Sequence, residues 1–333
     1  MNSELRQSMV SGDWVLIAPG RAKRPGELLN NQKQVKRRET PKRICPFESL
    51  LASSGGEMPL LQYGTGDRWR LGVIENRYPA LSHGANCPVF LKKGPYHYLG
   101  GIGRHELIIT RDHRKNFSEL SAIAAGEVFT AAVERFHHFK NDACLRYVSI
   151  FQNYGSRAGA SQSHPHYQIM AVPVVPPEVN YSLMNSKRYY SKHGACAHCV
   201  MLSYELKEKK RIVYANAHAV VVAPFASTHS FEFRVFPRKH HPRFEDTPAA
   251  EITGVVAALQ KALGALRRQL GDPDYNFFIH TAPIRDSAVH KHYHWHVEVM
   301  PRMEIFAGFE LSTGMVINPT SPETAAAFLR KGL

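Results

Sequence analysis

The sequence is poor in cysteine and has no long hydrophobic run. Its 333 residues include five cysteines, an odd number at irregular spacings, which argues against a disulfide framework and indicates a reducing compartment. No segment approaches the ~18 apolar residues of a membrane-spanning helix, and the first residues, MNSELR, lack the apolar stretch of a secretory signal. We therefore expect a soluble, cytoplasmic protein without membrane contact. Cys87, Cys144 and the pair His137 and His138 have no partner at a chemical spacing, so we assign them to packing or to the surface.

Acidic residues are also scarce, since 28 Asp and Glu stand against 42 Lys and Arg, for a formal charge of +14 at pH 7. Much of the basic excess lies in Lys33–Arg43, which has no interleaved aromatic side chains on which bases could stack. This argues against nucleic acid as a partner and favours a solvated basic loop. A positive surface also attracts small phosphorylated substrates by electrostatic steering.

The sequence contains an internal repeat with a period of about 130 to 150 residues. The same kinds of segment follow one another in the same order in both halves, which indicates gene duplication. In the first half they are Cys45-Pro-Phe-Glu48, Glu75-Asn76-Arg77-Tyr78-Pro79, a strand-like Glu106–Thr110, His113 and His164-Pro-His166-Tyr167-Gln168. In the second half they are Cys196-Ala-His-Cys199, Asn216-Ala-His218, a strand-like Phe231–Phe236, His240 and His294-Trp-His296-Val-Glu298.

Apolar spacing predicts one long amphipathic helix in each half. Apolar residues recur every few positions between 120 and 133 and between 252 and 266, and polar or acidic residues precede both stretches. The strand-like segments Tyr147–Gln152 and Tyr275–His280 follow these helices. Each half is thus strands, a helix and strands, which predicts an α+β fold with a mostly antiparallel sheet and two halves, residues 1–175 and 176–333.

The segment His164-Pro-His166-Tyr167-Gln168 is the strongest candidate for chemistry. In a strand, His164, His166 and Gln168 point to one face while Pro165 and Tyr167 point to the other. A lone histidine in a strand is usually structural. Two imidazoles beside an amide, preceded by the small-residue loop Gly155–Ser161, indicate a functional site instead.

This motif, together with Asn153-Tyr-Gly and the small-residue loop, resembles the active-site segment of the galactose-1-phosphate uridylyltransferase family, which belongs to the histidine-triad (HIT) superfamily. Three further segments resemble that family in order along the chain. They are Asp13–Pro25, which includes Arg24, Ile74–Leu81, which includes Asn76 and Arg77, and Ala307–Leu311 with Ile317-Asn318-Pro319. The resemblance implies a fold of two HIT-like repeats in one chain.

The resemblance also implies the chemistry. His166 would be the nucleophile that takes a nucleoside monophosphate from a nucleotide sugar and passes it to a sugar 1-phosphate in a ping-pong reaction. Gln168 would donate a hydrogen bond to a phosphate oxygen. The hydrolase branches of the superfamily carry a third histidine at this position, so glutamine favours transfer over hydrolysis.

Further residues are assigned to the substrates by the same resemblance. Ser161, Asn153 and Arg24 would hold the phosphates. The other substrate-binding candidates are Gly159, Asn76, Arg77, Phe309 and Glu310. Members of the family are commonly homodimers, and we expect the segment Ala307–Asn318 to complete the site of the other subunit.

Cys196-X-X-Cys199 has a ligand spacing typical of zinc. The equivalent repeat positions supply His240 and His294, which predicts a closed Cys2His2 site of the structural kind, as in the related ADP-sugar phosphorylases. The competing arrangement uses His280, His294, His296 and Glu178, like the second metal of some uridylyltransferases. We rank it lower because it leaves the cysteine pair without a role.

The first half offers Cys45, His113 and His164, with Glu48 in place of the family's second cysteine. Carboxylate oxygen binds zinc at a similar distance, so a Cys-Glu-His-His site of altered affinity is predicted. A metal there would fix His164, and through it the segment that aims His166.

Two other functions remain open. An ADP-sugar or dinucleoside-polyphosphate phosphorylase would use inorganic phosphate as its second substrate, and two positions favour it. Tyr167 stands where the uridylyltransferase pattern has glycine, and Glu304 replaces a lysine near the sugar phosphate. A basic, metal-stabilised interaction module would explain the charge and the cysteine pair but not His-Pro-His-X-Gln.

The second copy of the motif is predicted to be inactive. Glu298 stands in place of glutamine, and an anion repels a phosphate oxygen by about 4 kcal/mol at about 4 Å for an effective dielectric near 20. The small-residue loop is replaced by Ala282–His290. We therefore expect His296 to be structural or to form a wall of the first site.

Overall fold

The structure is a computed structural model that describes residues 2–21, 39–84, 86–285 and 287–333. Much of the basic stretch Lys33–Arg43, and Arg24 with it, therefore lies outside the described residues. The described chain is α+β, as predicted, with antiparallel pairing throughout its main sheet.

Ten strands form the main sheet, in the order β10-β11-β12-β14-β13-β8-β9-β7-β4-β3. Those of the first half are β3 (Leu61–Tyr63), β4 (Leu71–Glu75), β7 (Arg104–Thr110), β8 (Tyr147–Tyr154) and β9 (His166–Val172). Those of the second half are β10 (Ile212–Ala215), β11 (Ala219–Val222), β12 (Phe233–Pro237), β13 (Tyr275–His280) and β14 (His296–Pro301). Both halves have the same strand order, and they join where β8 pairs with β13.

The remaining strands form two small sheets. They are β1 (Glu4–Gln7) and β2 (Trp14–Ile17) with β15 (Val316–Asn318), and the hairpin of β5 (Leu91–Lys93) and β6 (Tyr96–Tyr98). The helices are α1 (Leu50–Ser53), α2 (Ala122–Phe139), α3 (Pro177–His193), α4 (Ala197–Glu208), α5 (Ala249–Leu270), α6 (Gly308–Thr313) and α7 (Pro322–Arg330). The long helices predicted from apolar spacing are α2 and α5.

Both long helices pack on one face of the main sheet. Ser121 caps α2 by accepting a hydrogen bond from Ala124 N, and Gly271 ends α5 in the left-handed conformation. One continuous hydrophobic core contains side chains of both helices and of both halves of the sheet. By length and composition α5 could cross a membrane, but its apolar side chains are mostly buried in this core.

The N-terminal strands pack on the second half of the chain rather than on the first. β2 pairs in parallel with β15, and Arg6 forms an ion pair with Glu323 at 3.0 Å. The two halves of the sequence therefore share a sheet, a core and a terminal strand. They are not spatially separate units.

One expectation about the cysteines is wrong. Cys87 and Cys144, assigned to packing or surface without a partner, form a disulfide in the structure. The bond joins the segment between β4 and β7 to the turn after α2, although 57 residues separate the two cysteines in sequence. Residues so far apart give no spacing signal, and only the fold brings them together.

Candidate active site and metal centres

The side chains of β9 divide between the two faces of the main sheet. His166 and Gln168 point away from the helices, whereas Tyr167 is fully buried in the core between the rings of Phe117 and Phe277. Tyr167 therefore faces away from the candidate site. It thus distinguishes this chain from the glycine pattern through packing in the core and not through contact with a substrate.

His164 lies just before β9 and is not part of it, because the strand begins at His166. Pro165 has no N–H group and cannot extend the ladder. The ring of Phe47 packs against both imidazoles, with centroid distances of 5.7 Å to His164 and 5.0 Å to His166. The two histidines thus remain neighbours on the same side of the sheet.

His166 is held in one tautomer. Its Nδ1 lies 3.0 Å from the carbonyl oxygen of His164, so Nδ1–H donates that hydrogen bond and Nε2 carries the lone pair. Burial lowers the pKa of His166, which keeps the ring neutral. A neutral, oriented imidazole is a competent nucleophile toward phosphorus.

The small-residue loop after β8 has a backbone that glycine permits. Gly155 and Gly159 have φ values of 88° and 86°, on either side of the turn Ser156–Ala158. Asn153 is half-buried at the end of β8, while Gly159 and Ser161 are exposed. The backbone N–H groups of residues 157–160 already donate within the protein. The exposed Ser161 is therefore the group of this loop that is free to meet a phosphate.

Two residues of the second half support this loop, and sequence reasoning missed both. Asp274 Oδ2 accepts a hydrogen bond from Arg157 N at 2.8 Å, and a side chain at Gly155 would collide with the same carboxylate. Asn276 Nδ2 donates to the carbonyl oxygen of Ala158 at 2.8 Å. The repeat comparison gave no signal for them, because they act across the junction of the halves.

Asn76 follows β4 and lies close to the motif. Its backbone N–H donates to the carbonyl of His105, and the His105 ring contacts Gln168. His105 is a further residue that the sequence analysis overlooked. Arg77 is exposed, with its guanidinium 5.9 Å from the ring centroid of Tyr78.

Phe309 and Glu310 lie on α6, which packs on β15 of the small sheet and not on the strands that carry His166. Phe309 is 45% exposed, and Glu310 Oε2 accepts a hydrogen bond from Ala307 N at 3.1 Å. Glu304 accepts a hydrogen bond from Ser230 N at 3.3 Å. Burial raises the pKa of Glu304.

The predicted ligands of the second half converge. Donor atoms of Cys196, Cys199, His240 and His294 all lie within 4.8 Å of one another. Cys199 Sγ is 3.3 Å from His240 Nδ1 and 3.5 Å from His294 Nδ1, and the neighbouring Cys199 thiol lowers the pKa of Cys196. His240 Nε2 donates to the carbonyl of Lys291 at 2.9 Å, which leaves Nδ1 as its free lone pair. This donor set fits tetrahedral zinc.

The first half contains the equivalent group of Cys45, Glu48, His113 and His164. His164 Nε2 donates to Thr110 O and His113 Nε2 donates to Thr40 O, both at 2.8 Å. Both Nδ1 lone pairs therefore face the Glu48 carboxylate, at 2.6 Å from His113 and 3.7 Å from His164. A proton or a metal ion between these lone pairs and the carboxylate removes the repulsion, and the four donor types are ones that bind zinc, so this set also fits a metal ion.

The competing metal arrangement does not assemble as proposed. Its member His294 belongs to the cysteine group, and Glu178 is exposed at the start of α3. The structure groups His280 and His296 with Glu298 instead. Arg234 Nη2 lies 3.2 Å from this carboxylate, so a guanidinium already neutralises it.

The second copy of the motif is enclosed. His296 Nδ1 lies 3.2 Å from the His294 carbonyl, as in the first copy, but its ring stacks on Phe236 and His280. Burial alone would raise the pKa of Glu298. The Arg234 guanidinium and the neighbouring imidazoles outweigh this effect, so the pKa lies below its ordinary value and the residue is an anion. An anion at the glutamine position opposes phosphoryl chemistry, and the inactivity of this copy stays a prediction.

Comparison with known families places the chain among nucleotide-sugar enzymes. Residues 1–176 match the family described as galactose-1-phosphate uridyl transferase, N-terminal domain. Residues 90–331 match a domain of unknown function, DUF4921.

Two relatives match over nearly the whole chain. ADP-glucose phosphorylase of Arabidopsis thaliana is 34% identical over 98% of this chain and 92% of its own length. Galactose-1-phosphate uridylyltransferase of Thermotoga maritima is 26% identical over 98% of both chains.

Solved structures give the same result. The crystal structure of an ADP-glucose phosphorylase from Arabidopsis thaliana with bound ADP-glucose superposes with a TM-score of 0.82 at 30% identity, over 99% of both chains. A uridylyltransferase structure gives a TM-score of 0.76 at 26% identity, over 99% of this chain and 98% of that one.

Proposed function

The chain is a nucleotidyltransferase of the galactose-1-phosphate uridyl transferase family, and on that premise we propose that His166 carries the nucleotidyl group between two phosphorylated partners. The observation that carries this proposal is the hydrogen bond from His166 Nδ1–H to the His164 carbonyl, which leaves the lone pair on Nε2. The same face of β9 presents Gln168.

The reaction needs two displacements at one phosphorus atom. The Nε2 lone pair of His166 forms a bond to the α-phosphorus of a nucleotide sugar, and the bond to the bridging oxygen breaks with its electron pair on the departing sugar phosphate. An acceptor phosphate oxygen then attacks the same phosphorus. The P–N bond breaks, and its electrons return to Nε2.

Neither displacement requires a general acid, because a phosphate group leaves as a stable anion. Gln168, which cannot protonate a leaving group, suits this chemistry. Its role is to donate a hydrogen bond to a non-bridging oxygen as charge builds up. Removing one such donor typically costs ~3 kcal/mol in the barrier.

Two substrate pairs are compatible with this site. The sequence motifs favoured uridylyl transfer to a sugar 1-phosphate. The greater identity to ADP-glucose phosphorylase, 34% against 26% for the uridylyltransferase, favours an ADP-sugar with inorganic phosphate as acceptor. Glu304, in place of a lysine near the sugar phosphate, agrees with the second pair.

The proposal includes structural zinc, a dimeric state and a cytoplasmic location. Zinc would be held by Cys196, Cys199, His240 and His294, where it would fix the segment immediately before β14, which contains His294. Apolar side chains are exposed after β4 and before α6, where Tyr78 is 81% and Ile305 is 83% exposed to solvent. Their exposure supports association with a second copy of the chain. The free thiols Cys45, Cys196 and Cys199 agree with a reducing compartment, whereas the Cys87–Cys144 disulfide is unusual for one.

The deciding experiment uses ADP-glucose and UDP-glucose labelled in the α-phosphate. We expect an acid-labile phosphohistidine that maps to His166, with faster labelling from the preferred base. Adding inorganic phosphate or galactose 1-phosphate to the labelled protein identifies the acceptor by which one releases the label. Absence of label from both nucleotides, with hydrolysis products instead, would contradict the covalent mechanism.

A further inference from the structure

His105 is a buried histidine on β7 that lies beside the candidate active site. β7 pairs with β9 so that His105 is opposite Met170 and Leu107 is opposite Gln168. Residues opposite one another share a face, so the His105 ring lies on the same face as Gln168, one step along the strand. Its Nε2 is 3.0 Å from Gln168 Oε1, and the residue is 8% exposed.

The partners of the ring assign its tautomer. The backbone N–H of Ala80 donates to His105 Nδ1 at 3.2 Å, so Nδ1 carries the lone pair and the proton is on Nε2. The hydrogen bond to Gln168 therefore runs from Nε2–H of the histidine to the carbonyl oxygen of the amide. This fixes which end of the Gln168 amide faces His105.

The Ala80 N–H belongs to the turn at residues 76–80, whose position is fixed by further hydrogen bonds. Asn76 N donates to the carbonyl oxygen of His105 at 2.8 Å, and Asn76 Oδ1 accepts from Tyr78 N at 3.0 Å. Asn76 Nδ2 lies 3.4 Å from Nδ1 and 3.1 Å from Nε2 of the same ring, so its amide can donate to the Nδ1 lone pair beside the Ala80 N–H. The ring is thus fixed between this turn and the amide of Gln168.

We propose that His105 is a positioning residue, which holds the Gln168 carbonyl oxygen so that the NH2 group of the amide is directed at the phosphate undergoing transfer. The inference rests on the proposed function and deepens it. Without the Nε2–H donor, the amide of Gln168 can rotate by half a turn. It would then present its carbonyl oxygen to a phosphate oxygen, where two acceptors repel each other.

The geometry can be tested without turnover. In protein labelled with 15N-histidine, we expect the His105 signals to show a protonated Nε2 and an unprotonated Nδ1 at neutral pH. A ring protonated on Nδ1, or on both nitrogens, overturns the proposal. This result stands whether or not His166 is labelled by a nucleotide, so it separates failure of this inference from failure of the proposed function.

The consequence for catalysis is tested with His105→Leu, and with ADP-glucose as the probe. We expect the rate of His166 labelling in a single turnover to fall about 10- to 100-fold, with ADP-glucose binding changed by less than about two-fold. His105→Gln, which keeps an N–H donor, should recover most of the rate. His97→Leu, at an exposed histidine of β6, is the matched control and should behave as wild type.

Two readouts distinguish positioning from a general loss of structure. The α-phosphorothioate diastereomers of ADP-glucose should react at more similar rates in His105→Leu, because the oxygen-specific contact of Gln168 is lost. In a Gln168→Ala background, His105→Leu should cost little more, less than about two-fold. Fully additive losses in the double variant, or an unchanged diastereomer preference in both His105 variants, would overturn the proposal.

Discussion

Asn276, in the second half of the chain, donates a hydrogen bond from Nδ2 to Oδ1 of Asn153, in the first half, over 2.8 Å. With its carbonyl oxygen occupied, Asn153 has its Nδ2 group left to donate to a phosphate. The second half therefore supports the proposed phosphate site, although its own copy of the motif is enclosed.

We expect Asn276→Ala to weaken nucleotide-sugar binding about ten-fold, because Asn153 loses the partner that orients its amide. Equilibrium binding of ADP-glucose and UDP-glucose measures the change. Asn180→Ala, at an exposed asparagine on α3, is the matched control. Unchanged binding in Asn276→Ala would show that the interaction between the halves does not position Asn153.

The two copies of the motif should respond differently to mutation. His166→Gly should lower the turnover rate by several orders of magnitude, while the affinity for the nucleotide sugar stays unchanged. Added imidazole should restore part of the activity, because it can occupy the space of the missing ring. His296→Ala should keep at least about a tenth of the wild-type rate, because its ring touches other buried rings and not the reacting face. Gln168→Ala should cost far more than His296→Ala. Label mapped to His296 would reverse the assignment.

Purified protein should contain about one tightly held zinc per chain, bound by the second-half group. Cys196→Ser and Cys199→Ser should each lose this metal and lower the melting temperature, as measured by elemental analysis and thermal unfolding. Glu48→Gln should affect a second, more weakly held equivalent only, because it removes the anionic ligand of the first-half group. Unchanged metal content in both cysteine variants would rule out the second-half site.

Stability should fall on acidification because of His229. Burial, with the Arg302 guanidinium 3.1 Å from its Nε2, lowers the pKa of His229 from 6.5 to about 4. Between the pKa of the unfolded chain, 6.5, and that of the folded chain, about 4, only the unfolded chain binds a proton at His229. The free energy of unfolding therefore decreases as the pH falls through this range. Denaturant unfolding at a series of pH values should show a shallower decrease for His229→Gln than for wild type. His97→Gln, at an exposed site, should leave the slope unchanged.

The Cys87–Cys144 disulfide closes a loop of 57 residues, a length for which chain-entropy arguments give about 4 kcal/mol of stabilisation. Denatured protein prepared without reductant, with zinc chelated, should show three free thiols out of five. Cys87→Ser, Cys144→Ser and the double variant should lose the same stability. Five thiols in the unreduced protein would show that the pair stays reduced.

Periodicity and repetition predicted the elements of the fold because those signals are local. The helices around Val128 and Leu259, the strand Tyr275–His280 and both ligand groups follow from spacing within a half or from matching the halves. The side on which Tyr167 lies followed from strand alternation. Its burial among aromatic rings did not, since that depends on which face the helices cover.

The supporting residues could not be predicted in this way. His105, Asp274 and Asn276 contact Gln168 or the small-residue loop through hydrogen bonds between strands or between halves. Which residues of two strands lie opposite one another cannot be derived from the spacing of residue types in a single sequence. The pairing of Cys87 with Cys144 and the packing of β1 and β2 on the second half could not be predicted either, because they also join residues that are distant in sequence.

The pairing of β8 with β13 has a consequence for the origin of the chain. These strands are equivalent in the two halves and run antiparallel, which is the relationship that a two-fold axis creates between identical subunits. The junction therefore has the form of a homodimer interface contained within one chain. Covalently joined halves need not stay identical, so one copy of the motif can carry Glu298 where the other carries Gln168.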